Sequence, residues 1–136
     1  MTDSEIRTLL AEAKTIAVVG LSSKPHRSSH EVAHYMQRKG YRIVPVNPRE
    51  SEVLGEKAYR SLAEVPVPID IVNVFRNSDD VPALTDEVLA LDAKPRAYWL
   101  QVGVHHAESE ARATAAGIPT ISNACLMVLY KLMGPV

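Results

Sequence analysis

Apolar positions along the chain switch repeatedly between a helical and a continuous pattern, and each switch marks an element. Ile6, Leu9, Leu10 and Ala13 recur at helical spacing behind Thr2-Asp3-Ser4-Glu5. That start is a capping box, in which the Thr2 hydroxyl accepts from the Glu5 amide while Glu5 reaches back, so an amphipathic helix is predicted over 2–14. Thr15-Ile16-Ala17-Val18-Val19-Gly20 is instead an unbroken β-branched run of strand length, the pattern of a strand buried on both faces in a parallel sheet. After a polar loop from Leu21 to Arg27, Ser28 or Ser29 is positioned to cap a second helix, whose Val32, Ala33 and Met36 lead to a stop at Gly40. Tyr41 to Pro48 reads as the second strand, with Pro45 awkward for a central position because it removes one ladder donor.

The alternation continues to the C-terminus. A polar stretch through Gly55 and Tyr59 leads to a short helical turn over 61–65 and a third strand from Ile69 to Phe75. Asp80, with Pro82 just behind it, starts a helix carrying Leu84, Val88, Leu89 and Leu91. Ala97 to Gly103 is a fourth strand, Ala107 to Ala116 a helix stopped by Gly117, and Pro119 to Ser122 a fifth strand. Asn123 is read as the N-cap of a closing helix with Leu126, Met127, Leu129, Tyr130 and Met133. Strands alternating with helices form βαβ units, and right-handed crossovers wind them into a Rossmann-like doubly wound parallel five-stranded sheet, an α/β single domain over residues 1–136. Ligands of such sheets lie beyond the carboxyl ends of the strands at the topological switch point. The functional residues are therefore expected in the loops after Gly20, Val46, Val74 and Leu100.

Composition narrows the partners. Lys and Arg number 15 against 16 Asp and Glu, a net charge of −1, so the basic footprint that holds a nucleic acid duplex or an anionic membrane is missing. The acidic start lacks the basic and apolar regions of a signal peptide, and no apolar run approaches membrane-spanning length. Cys125, the single cysteine, has no partner for an internal disulfide and suits a reducing compartment; the expected location is cytoplasmic.

The loop Gly20-Leu21-Ser22-Ser23-Lys24-Pro25-His26-Arg27-Ser28-Ser29 runs from the first strand into a helix N-terminus, where unpaired amides and the helix dipole favour an anion. Its hydroxyls, Lys24 and Arg27 add donors, so the loop is the candidate phosphate cradle. The G-x-G-x-x-G fingerprint is absent. The second strand ends in Val46-Asn47-Pro48-Arg49 rather than in an acid that would hold a nicotinamide ribose, which disfavours NAD. Arg49 could instead meet an extra ribose phosphate, as in NADP or coenzyme A.

Other features compete for attention. His30-Glu31-Val32-Ala33-His34 matches the zinc-protease pattern H-E-x-x-H formally, yet His30 and His34 share a solvated helix side with Gln37 and Arg38, so no metal or catalytic residue is assigned. His105 and His106 read as helix-start residues, with no nucleophile or acidic orienter spaced beside them. Trp99 reads as core, and the Met127 and Met133 stripe as core or an oligomer patch. Arg76 ends a strand at the site edge, with a salt bridge and ligand contact as its two readings. Cys125 reads as a small buried hydrophobe, with a reactive thiol at a helix start as the sharper alternative.

Ala17-Val18-Val19-Gly20-Leu21-Ser22 with Lys24-Pro25-His26-Arg27, then Gly40-Tyr41-Arg42-Ile43-Val44-Pro45-Val46-Asn47-Pro48, resembles the stand-alone CoA-binding domain proteins, which are similar to the CoA-binding domain of the succinyl-CoA synthetase α subunit. Asp70 to Arg76 and Trp99-Leu100-Gln101-Val102-Gly103, followed by His106, extend the resemblance over nearly the whole chain. It implies that coenzyme A, or an acyl-CoA, lies over the four loops. The pyrophosphate would sit at Gly20, Leu21, Ser22, Ser23 and Lys24, and the adenosine beside Val46, Asn47 and Pro48; the pantetheine would pass Val74, Phe75, Arg76, Gln101 and Gly103. The family's role is binding, which implies a non-catalytic carrier, sensor or regulatory module, as a homo-oligomer or with a partner enzyme. The alternatives are an NADP-dependent oxidoreductase and a structural or regulatory subunit with a vestigial nucleotide site. The chain departs from the family where Asn123-Ala124-Cys125 replaces Asp-Arg-Cys and Leu129-Tyr130 replaces a Glu-His pair.

Overall fold

The computed structural model describes residues 1–135. Five strands form one parallel sheet: β1 (Thr15–Val19), β2 (Arg42–Val46), β5 (Ile71–Val74), β6 (Ala97–Leu100) and β7 (Thr120–Ile121). Their order across the sheet is β2, β1, β5, β6, β7, so the chain runs outward from β1 to β2 and then crosses back to the other side of β1. The switch point lies between β1 and β5, where loops from both halves diverge and leave a crevice. This is the predicted doubly wound α/β architecture.

The helices are α1 (Asp3–Glu12), α2 (Ser28–Arg38), α3 (Val81–Leu89), α4 (Ala107–Ala115) and α5 (Leu126–Met133). Alternating side chains of each strand enter opposite layers. Ile16, Val18, Ile43, Ile71 and Trp99 pack with apolar residues of α1, α2 and α5; Ala17, Val19, Val72, Val74, Tyr98 and Leu100 pack with those of α3 and α4. Tyr98 and Trp99, both fully buried, thus fill the two layers from adjacent positions. Each finds a polar partner: Trp99 Nε1 donates to Ala124 O at 3.0 Å, and the Tyr98 and Thr85 hydroxyls share a bond of 3.0 Å. Burial pushes the Tyr98 phenol up to about 12. No helix among the described residues is long and apolar enough to cross a membrane.

Pro45 is accommodated because β2 is an edge strand. Arg42 N donates to Lys14 O, so by alternation the even-numbered amides face β1 and the amide missing at Pro45 would face outward. On that outer side Tyr59 N donates to Pro45 O and Asn47 N to Tyr59 O, which pins the following segment to the edge. That segment holds an unpredicted hairpin, β3 (Glu52–Val53) and β4 (Glu56–Lys57), joined by Leu54 and Gly55 at φ of 56° and 78°. The turn expected over 61–65 is a 3₁₀ helix at Leu62–Glu64.

Two predicted caps are corrected. Arg27, not Ser28 or Ser29, is the N-cap of α2, and it makes no side-chain cap bond. Cys125, not Asn123, is the N-cap of α5; Asn123 sits in a left-handed turn at φ 52° and uses Oδ1 to accept from Gly103 N at 2.8 Å.

Candidate functional site

The ladder delivers three loops to one edge. Gly20 N donates to Val46 O, Phe75 N to Val19 O and Gln101 N to Val74 O, so the strands end level with one another. Gly20 occupies φ +87°, and a Cβ there would stand 2.3 Å from Phe75 O. The glycine is thus required by the close approach of β1 to its own neighbour, whatever it allows a ligand.

The loop from Leu21 to Arg27 is shaped largely by its own side chains. Ser22 N donates to Ser29 Oγ, Lys24 N to Ser22 Oγ, and Asn47 Nδ2 to Leu21 O at 3.0 Å. Glu50, from beyond β2, accepts from Ser23 N at 2.6 Å; that amide bond is the main reason its carboxyl is held below the usual range. The α2 N-terminus is left open, because the first-turn amides of Ser28, Ser29 and His30 have no acceptor among the described residues. Lys24, Arg27 and Arg49 stand exposed around it, and none of the three is in an ion pair among the described residues. Fixed positive charge and open amides together make this end suited to an anion.

Four adjoining recesses share walls along the edge. A central cleft of about 690 Å³ is lined by Gly20, Arg27, Asn47, Pro48, Arg49, Phe75, Arg76 and Gln101 among others. It continues into a recess of about 520 Å³ at Ser22, Ser23 and Lys24, and into one of about 190 Å³ against α3, with Val46, Arg60, Ser61, Asp79 and Glu87. The fourth, about 200 Å³, reaches α5 between Ser28, Val32, Phe75, Gln101, Cys125 and Met127. Most residues expected at the site are therefore brought together. Leu21 and Val74 are instead fully buried in the core, and Gly103 is tied outside the cleft lining by Asn123 and by Ser78 Oγ, which donates to its carbonyl at 3.4 Å. Arg76 holds both of its readings: its Nε lies 3.3 Å from Asp80 Oδ2, and it lines two recesses.

Gln101 is only 5% exposed, and its orientation is fixed by α5. Leu126 N can only donate, so the Gln101 atom 2.9 Å from it is Oε1. The Asn73 group 3.1 Å from the same oxygen is then Nδ2, which leaves Asn73 Oδ1 buried without a partner. The Gln101 amide nitrogen is left for the cleft. Asn73 was not expected here; a lone polar residue in an apolar strand was the available signal.

The remaining histidines stand apart from this cleft. His30 and His34 are 6.1 Å apart between ring centroids, and among the described residues no group of three or more His, Cys, Asp or Glu comes together as metal ligands. His106 is the N-cap of α4, its ring accepting from Ser109 N. His105 does have an acidic neighbour, contrary to expectation: Nδ1 lies 2.8 Å from Glu110 Oε2. Burial works to raise the Glu110 carboxyl, but bonds from Ser122, the His106 amide and His105 outweigh it and hold the group below the usual range.

Comparison with known proteins gives one family. The model described as CoA binding domain matches residues 14–131. The uncharacterized protein YneT of Bacillus subtilis is 44% identical over 129 residues, covering 95% of this chain and 94% of that one. The solved structure of the Thermus thermophilus protein ID.343 is 44% identical with a TM-score of 0.93, covering 98% of this chain and 99% of that one. The α subunit of an ADP-forming acetate–CoA ligase II from Pyrococcus furiosus is 42% identical over 57 residues, 41% of this chain but 12% of the ligase subunit.

Proposed function

The chain belongs to the CoA binding domain family, and from that premise we propose that it binds coenzyme A or an acyl-CoA as a non-catalytic module. The observation that carries this reading is the cleft itself. Its cationic end, with Lys24, Arg27, Arg49 and the open α2 N-terminus, suits phosphates, while its opposite end, at Phe75, Val32 and Met127, is largely apolar. A ligand that is polyanionic at one end and a thiol-bearing chain at the other matches that gradient. Lys24 and the α2 amides would hold the pyrophosphate, and Arg49 would neutralise a ribose phosphate. The Gln101 amide nitrogen would donate to an amide carbonyl of the chain. CoA supplies a thiol or thioester when bound; the residues named bind and orient it.

Equilibrium binding of CoA, dephospho-CoA, NADP and NAD to the purified protein tests the reading. The expected order places CoA above dephospho-CoA and well above NAD, because no second-strand acid awaits a free ribose diol. Binding of NAD tighter than CoA would overturn it.

A further inference from the structure

The recess that reaches α5 differs from the rest of the cleft in charge. Arg27, Arg49 and Arg76 line the central cleft, and none of them lines this recess. Val32, Phe75, Val102 and Met127 give it apolar walls, and the one charged residue among its described lining is Glu31. Glu31 stands in the first turn of α2, exposed to solvent beside the buried Val32, and its carboxylate is in no ion pair among the described residues. The recess is continuous with the central cleft, because Ser28, Phe75, Gln101 and Val102 line both. A chain that leaves its phosphates at the cationic end and lies along the cleft therefore delivers its far end here. About 200 Å³ holds on the order of six or seven non-hydrogen atoms, at the roughly 30 Å³ that a water molecule takes in the liquid. That is the size of a sulfur carrying a short acyl group.

We propose that Glu31 sets acyl selectivity in this recess, admitting short neutral acyl groups and turning away those that end in a carboxylate. This rests on the binding reading above and deepens it by naming the class of acyl-CoA. A neutral acyl group gains from burying its carbons against Val32, Phe75 and Met127. A terminal carboxylate gives up that gain, loses part of its water, and meets a second carboxylate where a cation would be needed. Two like charges a few ångströms apart repel, and solvent beside an exposed side chain keeps the penalty moderate. Charge thus changes sign along the cleft, from the cations at the phosphate end to one carboxylate at the acyl end.

Calorimetry with malonyl-CoA and acetoacetyl-CoA tests this, because the two acyl groups share one outline and differ by a carboxylate oxygen in place of a methyl group. Wild type should bind malonyl-CoA roughly three- to tenfold more weakly than acetoacetyl-CoA. That gap should narrow with added salt and in Glu31→Gln, and Glu31→Lys should make malonyl-CoA the tighter of the two. Wild type that binds both ligands equally, or a ratio that is the same in all three proteins, overturns the role of Glu31. CoA titrated into wild type separates the two ideas: CoA binding with an unselective acyl end removes only the role of Glu31, whereas absence of CoA binding removes the reading beneath it as well.

Discussion

Asn73 and Gln101 face each other across β5 and β6 with a polarity imposed from outside the sheet, since the Leu126 amide dictates which end of Gln101 it meets and Gln101 in turn dictates which end of Asn73 it meets. The pair ties β5 and the end of β6 to the start of α5, and it leaves one oxygen, Asn73 Oδ1, buried without a partner. A near-isosteric change at Asn73 is therefore expected to be worse than an apolar one. Asn73→Asp places a carboxylate against Gln101 Oε1 and should destabilise by about 3–5 kcal/mol, the scale of an unpaired buried charge. Asn73→Leu loses the bonds from Nδ2 to Gln101 Oε1 and, at 3.5 Å, to Trp99 O, but also removes the orphaned acceptor, and should cost about 1–2 kcal/mol. Urea unfolding of both variants checks the order; Asp and Leu costing the same would refute the assigned orientation.

Gly20 offers a second stability test. Alanine there meets Phe75 O and must adopt φ +87°. Left-handed backbone costs about 1–2 kcal/mol for a non-glycine residue and overpacking about 1–3 kcal/mol, so Gly20→Ala should lose roughly 2–5 kcal/mol and melt on the order of 10 °C lower. A variant that melts like wild type would show that β1 and β5 can separate at this point. Gly20 substitutions therefore cannot by themselves report on phosphate binding.

What could be read from the sequence follows the range of each interaction. The β1 run, the α1 capping box and the helix stops at Gly40 and Gly117 are local, and the structure has them where expected. The β3–β4 hairpin was missed because two-residue strands carry no apolar period. Caps failed where a distant partner claims the side chain: Asn123 is taken by Gly103 and Ser29 by Ser22. The cleft was legible by position, because topology alone sends Gly20, Asn47, Phe75 and Gln101 to one edge. Its electrostatic detail was not, because Glu50 reaches Ser23 across 27 residues and only the fold brings them together.

The cationic end should reveal itself in salt dependence. Lys24→Ala and Arg49→Ala are each expected to weaken CoA binding roughly two- to tenfold and to flatten the fall of affinity with added salt, because both side chains are exposed and screened. Arg49→Ala should also narrow the gap between CoA and dephospho-CoA, whereas Lys24→Ala should weaken both ligands alike. Calorimetry at two salt concentrations distinguishes them. An Arg49→Ala protein that keeps the full preference for CoA would move the ribose phosphate elsewhere in the cleft.

Glu50 gives the opposite sign. Its carboxylate occupies the Ser23 amide, a donor that a phosphate at this loop would use, so an incoming anion must displace a resident one. Removing the charge in Glu50→Gln is expected to tighten CoA binding, roughly two- to fivefold as for other exposed charge pairs. The pH dependence follows from the same bond. Because the Glu50 carboxyl is held below the ordinary value, its bond to the loop is fully present above the usual carboxylate range and is lost as pH falls through the lowered value. A displaced Glu50 returns toward the ordinary value and takes up a proton more readily, so ligand binding gains on acidification in wild type relative to Glu50→Gln. The titration of CoA's own phosphates is common to both proteins and cancels in the comparison. Affinities measured for the pair between about pH 7 and pH 4 should converge as the pH falls; a constant ratio across that range would mean that Glu50 stays on the Ser23 amide when the ligand is bound.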